Sequence, residues 1–327
     1  MSTQTVKAIA ARPGRNYGEM LRQYIIWIIL VVLILVSAAL SRGVFFTPEN
    51  LLHLLRQISM VAIVTTGQMF VMLTGGLDLS VGSVVALNSC IAVMAVNANQ
   101  PGLIVFLIPV LVGTVIGLLN GFMVNVIGLV PFVATLAMLI IARGFAFVLT
   151  GGSPQYMLPD AIEKYGIYGR ESIGMVPIPV LIMGVIFCIG YFILHRTMLG
   201  QHIYAIGNNE ETSGLAGIRI ARTKYVVYGL CGMFAGLTGL IYSSRLSYGS
   251  PVVAGSFNFD SIIPIIMGGA SLSGGSGSLT NAIVCVVIMG ILTSVMNMLN
   301  VSPFIQDGVK GIILLFAIYF VAGKKKW

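Results

Sequence analysis

The sequence predicts an all-α polytopic membrane protein built as a single domain, and three observations predict it. Hydrophobic residues make up 57% of the 327 residues and charged residues only 9%, whereas a soluble domain is about a quarter charged. Apolar runs of roughly 17–23 residues, the length a bilayer core requires, recur along the whole chain. The 39 glycines exceed the usual share of about 7%. Glycine lets membrane helices approach closely and tolerates broken helices beside a cavity.

The apolar segments lie at 24–40, 54–74, 81–97, 102–125, 131–149, 176–195, 224–245, 259–272, 279–298 and 305–322, which gives ten crossings. The first is longer than the apolar core of a signal peptide and further spans follow it, so it reads as an uncleaved helix. The second carries Arg56 near its outer end. Thr47 and Pro48 mark its start, as an N-cap residue followed by proline at the first helical position. Pro131 opens the fifth segment. The eighth, 259–272, is short, and both a span and a re-entrant segment fit it.

An even count puts both termini on one side. Lys7, Arg12, Arg15 and Arg22 precede the first span, Arg196, Arg219, Arg222 and Lys224 flank the loop at 196–224, and Lys324, Lys325 and Lys326 follow the last span. The positive-inside rule makes that side cytoplasmic. The organisation is therefore a basic segment over 1–23, a transmembrane domain over 24–322 with a cytoplasmic loop at 196–224, and a basic tail over 323–327. The loop at 150–175 lies outside. Charge placed this way answers to membrane lipid and gives no reason to expect nucleic acid, although the net charge is +8.

Between the second and third segments stands GGLDLSVGS, residues 75–83. Gly75, Gly76 and Gly82 around Asp78 make a break that a regular helix disfavours. Asp78 or Ser80 is placed to cap the helix that follows, and an ionisable residue near membrane depth points to a gate or pathway. The string is echoed by GGASLSGGS at 268–276, identical at six of nine positions. Two readings stand: an internal repeat, as in many transporters, or convergence of glycine-rich turns. Gln68, Asn88, Asn120, Asn125, Thr135, Arg143, Asn281 and Asn297 are polar residues inside spans. Amides suit uncharged hydroxylated solutes, offering donor and acceptor together, but such residues also bond helix to helix. Phe132, Phe145 and Phe147 suit either stacking on a sugar face or packing.

No Ser/His/Asp grouping, H-E-x-x-H, paired carboxylates or G-x-x-x-x-G-K-[ST] occurs. The chain is therefore not read as an enzyme, and ATP would be handled by another subunit. Cys90, Cys188, Cys231 and Cys285 are dispersed in predicted spans and read as small buried hydrophobes. His53, His195 and His202 lack ligand spacing, so no metal or cofactor is assigned. In the central loop Asn208 and Asn209 offer N-caps, and Glu210 and Glu211 sit in a first turn, where the helix dipole favours negative charge. Ser213, Gly214, Ala216 and Gly217 are small, Leu215 and Ile218 are apolar knobs, and Gly217 is a stop. This reads as a helix of about two turns with a small, shape-specific face.

The chain resembles the permease subunits of bacterial ABC importers for monosaccharides, of the ribose, xylose, arabinose, galactose, allose and autoinducer-2 type. The resemblance covers essentially the whole chain. It is carried by GGLDLSVGS (75–83), VPFVATLAML (130–139), RGFAFVLTGG (143–152), LGQHIYAIGNNEE (199–211), LAGIRIARTK (215–224) and DSIIPIIMGGASLSGGSGS (260–278). It implies a multi-pass protein of the bacterial inner membrane, paired with a second copy or a paralogue. It implies a cytoplasmic ATPase that uses ATP and Mg and docks through a coupling helix, carried over onto Asn208 to Ile218. Outside, it implies a periplasmic or lipid-anchored sugar-binding protein. The family commonly has small and basic residues such as Ala-Ala-Arg after the glutamates, where this chain has Thr212-Ser213-Gly214. The gate candidates are Gln68, Gly75, Gly76, Asp78, Ser80, Asn88, Asn120, Phe132 and Thr135. The rival reading is a stand-alone ion-coupled secondary transporter, which would draw its buried carboxylates from Asp78, Asp260 and Asp307. The sequence does not identify the sugar.

Overall fold

In the computed structural model, which describes residues 17–41, 43–252 and 257–322, each of the ten apolar segments is helical. They are α1 (Tyr17–Leu40), α2 (Pro48–Leu73), α3 (Val81–Asn97), α4 (Gly102–Asn125), α5 (Pro131–Thr150), α7 (Ile178–Arg196), α10 (Ile220–Leu246), α11 (Phe257–Met267), α12 (Leu279–Met298) and α13 (Pro303–Ala322). Three further helices lie in the connections: α6 (Pro159–Tyr165), α8 (Met198–Asn208) and α9 (Glu210–Leu215). Lys7, Arg12, Arg15 and the tail at 323–327 fall outside the described residues.

Six helices among the described residues are long and apolar enough to cross a membrane: α2, α4, α5, α7, α10 and α12. The chain is an all-α polytopic membrane protein. The most apolar stretches of α2 and α10 are 78% and 72% buried, against 28% for α4 and α5 and 22% for α7. α2 and α10 are therefore the axis of the bundle and pack on each other, and α3 and α4 pack on α10. The exposed faces of α4, α5 and α7 are apolar, with Leu111, Val115, Ile140, Val148, Val185 and Phe192 outward. Water would make such a surface costly, whereas lipid chains match it.

The tightest seam is α4 on α10. Gly113, Gly117 and Gly121 recur every four residues on one face of α4, and Gly232 and Gly236 meet them from α10. A Cβ at Gly117 would overlap the Tyr228 carbonyl, and one at Gly113 the Gly232 carbonyl. Backbone thus lies on backbone, the small-residue packing that holds membrane helices together by dispersion.

Several sequence expectations are corrected. α11 has 11 residues, about 16 Å at 1.5 Å per residue, about half the roughly 30 Å thickness of a bilayer core. Thr47 does precede Pro48 at the start of α2, but its hydroxyl donates back to the Val44 carbonyl at 2.9 Å and caps nothing. Cys90, Cys231 and Cys285 are buried, while Cys188 is exposed on α7. The loop at 150–175 is ordered. In it β1 (Gln155–Tyr156) pairs antiparallel with β4 (Tyr248–Gly249), and β2 (Ser172–Ile173) with β3 (Val176–Pro177). Arg56 on α2 holds this cover by donating to the Arg170 carbonyl at 2.7 Å.

Candidate functional site

The central loop holds two helices rather than one. Thr197 caps α8, accepting from the Gly200 N–H at 3.4 Å. Gly200, Ile203 and Ile206 form the buried face of α8. That face was present in the sequence as small and apolar residues at spacings of three, masked by Gln201, His202 and the flanking arginine. Asn208 is the last residue of α8, not a cap. Asn209 is the cap of α9, its Oδ1 accepting from the Thr212 N–H at 2.8 Å. α9 has six residues, about one and a half turns, and ends at Leu215; two residues on, the chain turns at Gly217, whose φ of +84° is one that L side chains rarely adopt. Glu210 pairs with Lys224 at 2.7 Å. Ser213 is buried, its hydroxyl donating to the Asn209 carbonyl at 2.7 Å. Glu211 and Gly214 face outward, Ile218 is half-buried, and Leu215 is 85% exposed. A short helix stiffened at its root thus presents one bare apolar side chain.

The root of α9 is fastened to the break at 74–80. Asn208 Nδ2 donates to the Gly275 carbonyl at 3.4 Å, Tyr204 Oη to the Gly277 carbonyl at 3.0 Å, and the Gly275 N–H to the Leu73 carbonyl at 2.9 Å. Any Cβ at Gly207 would overlap the Leu73 carbonyl and the Gly275 N–H. The two echoed strings also meet each other. A Cβ on Gly274 would collide with the Gly75 main chain, and one on Gly75 would come within 3.2 Å of the Ser273 carbonyl. Gly75 and Gly274 both have positive φ, +79° and +83°. The sequence echo therefore corresponds to two turns packed face to face under α8.

Above these turns sits Asp78, fully buried with Ser80 and Asn120. Ser80 donates its N–H (2.8 Å) and its hydroxyl (2.6 Å) to Asp78 Oδ1, and Asn120 Nδ2 reaches Ser80 Oγ at 2.9 Å and Asp78 Oδ2 at 3.3 Å. The Gln68 amide lies 3.2 Å from both the N–H and the carbonyl of Asp78, oriented to accept from the first and donate to the second. Thr135 donates to the Leu77 carbonyl at 3.0 Å. The break is thus an ordered loop clamped by α2, α4 and α5. Asp78 bonds the N–H of Ser80, the residue at the mouth of α3, but the next free N–H, on Gly82, goes to Asn258 Oδ1 of α11 at 2.6 Å. That cap comes from 176 residues away, and no local pattern announces it.

The structure brings Gln68, Gly75, Gly76, Asp78, Ser80, Asn120 and Thr135 into this one cluster. Asn88 is buried elsewhere, donating to the Val84 carbonyl at 2.9 Å and lying against Gly239 of α10. Phe132 and Phe145 are exposed on the outer face of α5, and Arg143 lies over the Phe147 ring at 5.7 Å on that face. Asn125 and Asn281 donate to the Gly121 and Gly268 carbonyls, and Asn297 accepts from Gln306.

Comparison with known proteins follows from this arrangement. The family model described as branched-chain amino acid transport system / permease component matches residues 50–318. The chain is similar to the "Ribose import permease protein RbsC" of Escherichia coli (strain K12), 37% identical over 331 residues and 100% of both chains. It is 36% identical to the protein of the same name in Bacillus subtilis (strain 168), over 88% of this chain and 89% of the relative. It is 31% identical to the "L-arabinose transport system permease protein AraH" of Escherichia coli (strain K12), over 99% of this chain and 98% of the relative. No solved structure matches the chain.

Proposed function

Because the chain belongs to the branched-chain amino acid transport system / permease component family, we propose that it is the membrane permease subunit of an ABC importer and carries a monosaccharide. The family description names amino acids, but the relatives matched along their whole length are named for ribose and arabinose import. The chain is no enzyme; hydrolysis of ATP with Mg belongs to a partner subunit. Its place is the inner membrane, which it crosses many times. We read ten segments as entering the membrane with both termini cytoplasmic, α11 reaching halfway.

The observation that carries the coupling role is the bare Leu215 on a capped helix whose root is hydrogen-bonded to the turn at Gly275, which in turn packs against the Asp78 break. An ATPase subunit that grips α9 would push through α8 on the turns at 75 and 274. Because those turns are backbone against backbone, displacement passes to the break without slack. A sugar-binding protein would dock on the opposite end, over the ordered loop at 150–175, and a second permease would cover part of the apolar outer face. A secondary transporter needs a buried carboxylate free to take up an ion. Asp78 is enclosed by Ser80 and Asn120, Asp260 is paired with Lys310 at 2.8 Å, and Asp307 is exposed and lies 3.9 Å from the same lysine, so that reading is disfavoured.

The test is import into vesicles holding the permease, its ATPase and its binding protein, against a panel of pentoses and hexoses. Wild type should concentrate at least one sugar on ATP addition. Glu211→Arg and Gly217→Trp should abolish uptake and weaken co-purification of the ATPase while permease abundance holds. Full uptake by the tryptophan variant would remove α9 as the dock.

A further inference from the structure

Arg245 makes no ion pair or side-chain hydrogen bond among the described residues, yet it is half-buried. It stands 25 residues beyond Ile220 on α10, about 37 Å from the coupling end at 1.5 Å per residue. An unpartnered guanidinium inside a membrane protein is costly unless something polar meets it. What it faces is a cavity of about 260 Å³, walled by Gln57 of α2, Tyr242 and Arg245 of α10, and Phe257 and Asp260 of α11.

The wall has the two kinds of surface that a sugar ring has. The Tyr242 and Phe257 rings stand nearly perpendicular, at 78° with centroids 6.0 Å apart, and form an apolar corner. Arg245 offers up to five donors and Gln57 both donors and an acceptor. Asp260 is held by Lys310, whose Nζ lies 2.8 Å from Oδ1, and among the described residues no side-chain or main-chain donor bonds its Oδ2. Each hydroxyl of a sugar donates and accepts, so a mixed wall of this kind satisfies it where a wall of one type would not. Charge sorts the other ligands. Lys310 already balances Asp260, so the cavity has no free negative charge to hold a cation. Ligand pockets are typically concave, largely apolar, and carry a few convergent polar groups.

We propose that this cavity is a binding site for a neutral monosaccharide within the permease itself, at the end of the bundle opposite the coupling helix. The proposal rests on the sugar-importer reading above and adds a stopping point for the sugar inside the single subunit. Arg245 and Asp260 bind ring hydroxyls, Gln57 reads a third, and the Tyr242–Phe257 corner receives the C–H face. Sugar choice is then made partly here and not by the binding protein alone.

The experiment uses the assembled transporter in vesicles, with Cys188→Ala as background because that thiol is exposed. A thiol reagent is applied to Gln57→Cys, to Leu246→Cys on the same wall, and to Ile167→Cys on the outer loop as control. D-ribose, L-arabinose or ribose 5-phosphate is present at saturation. The transported sugar should slow labelling at least fivefold at either wall position and not at the control. Arg245→Gln should raise KM for uptake at least tenfold at matched protein level, with Arg245→Lys in between, since a lysine cannot reproduce the fork of donors. Import by wild type with no protection at either wall position overturns this inference alone. Protection by ribose 5-phosphate and not by the free sugars also overturns it, in favour of an anion site. Absence of import of any sugar by wild type overturns both this inference and the proposed function.

Discussion

Replacing Asp78 with leucine should destabilise the permease more than replacing it with asparagine, by an amount that follows from its bonds. Leucine removes the acceptor for the Ser80 N–H at 2.8 Å and for the Ser80 hydroxyl at 2.6 Å. Asn120 Nδ2 keeps Ser80 Oγ at 2.9 Å, so two buried donors are orphaned and not three. Each orphan costs about 1–3 kcal/mol, which gives about 2–6 kcal/mol in all. Asparagine keeps an oxygen where Oδ1 stands and loses the charge assistance of those two bonds, roughly 1 kcal/mol each; its amide nitrogen also replaces Oδ2, the weaker acceptor for Asn120 at 3.3 Å, while Asn120 keeps Ser80 Oγ. At about 2 °C per kcal/mol for a chain of this size, the apparent Tm in detergent should fall about 4–12 °C for leucine and about 4 °C for asparagine. Ser80→Ala combined with Asp78→Leu should cost less than the sum of the two, because alanine removes one orphan. Uptake measured at matched permease levels then separates structure from gating. If the break is only held by these bonds, asparagine transports and leucine does not; if the charge takes part in switching, both fail. A leucine variant that melts within about 1 °C of wild type and transports normally would refute the bonding account altogether.

Gly117→Ala should reduce folded yield on fluorescence-detected size exclusion, because its Cβ overlaps the Tyr228 carbonyl, whereas Gly184→Ala, with nothing within 4 Å, should be neutral. Equal yields would mean that the α4–α10 seam relaxes freely. Asn209→Ala removes the cap on Thr212 and should cost about 0.5–2 kcal/mol of local helix stability, read as weaker ATPase retention, with Asn209→Asp close to wild type. Unchanged retention in the alanine variant would show that the ATPase imposes the helix itself. For topology, an impermeant reagent applied outside should label Glu163→Cys and not Arg219→Cys, and the reverse pattern would invert the assignment of sides.

How much of this was legible in the sequence depends on how local each cause is. The long helices were legible because a bilayer demands contiguous apolar residues, and contiguity is visible in a string. Pro131 opens α5, and the glycines at 75 and 76 mark the end of α2, because backbone geometry at those positions acts on nearest neighbours. α8 was missed because its buried face, Gly200, Ile203 and Ile206, is a three-residue stripe among polar residues, too sparse to stand out. The end of α11 at Met267 follows from the turn at Gly268 and Gly269, which cuts short an apolar run that composition alone extends. The capping of Gly82 by Asn258 and the fastening of Asn208 to Gly275 were invisible, since each joins residues far apart in the chain. The Asp78 cluster lay between these cases. Its acid and its glycines were apparent, but its closure by Asn120 and Gln68 required knowing which helix faces which.

The face-to-face turns under α8 bear on how such a protein can be re-engineered. Transplanting a docking helix from another permease, to recruit a different motor, looks like an exchange of six residues. Yet α8 reaches into the groove between Leu73 and Gly275 with no room for a Cβ at Gly207. A graft that stops at the docking helix would import a foreign stem into a socket cut for this one. The unit of exchange is therefore α8, α9 and the 268–278 turn together, moved as a cassette whose two pieces, 198–215 and 268–278, are discontinuous in the gene.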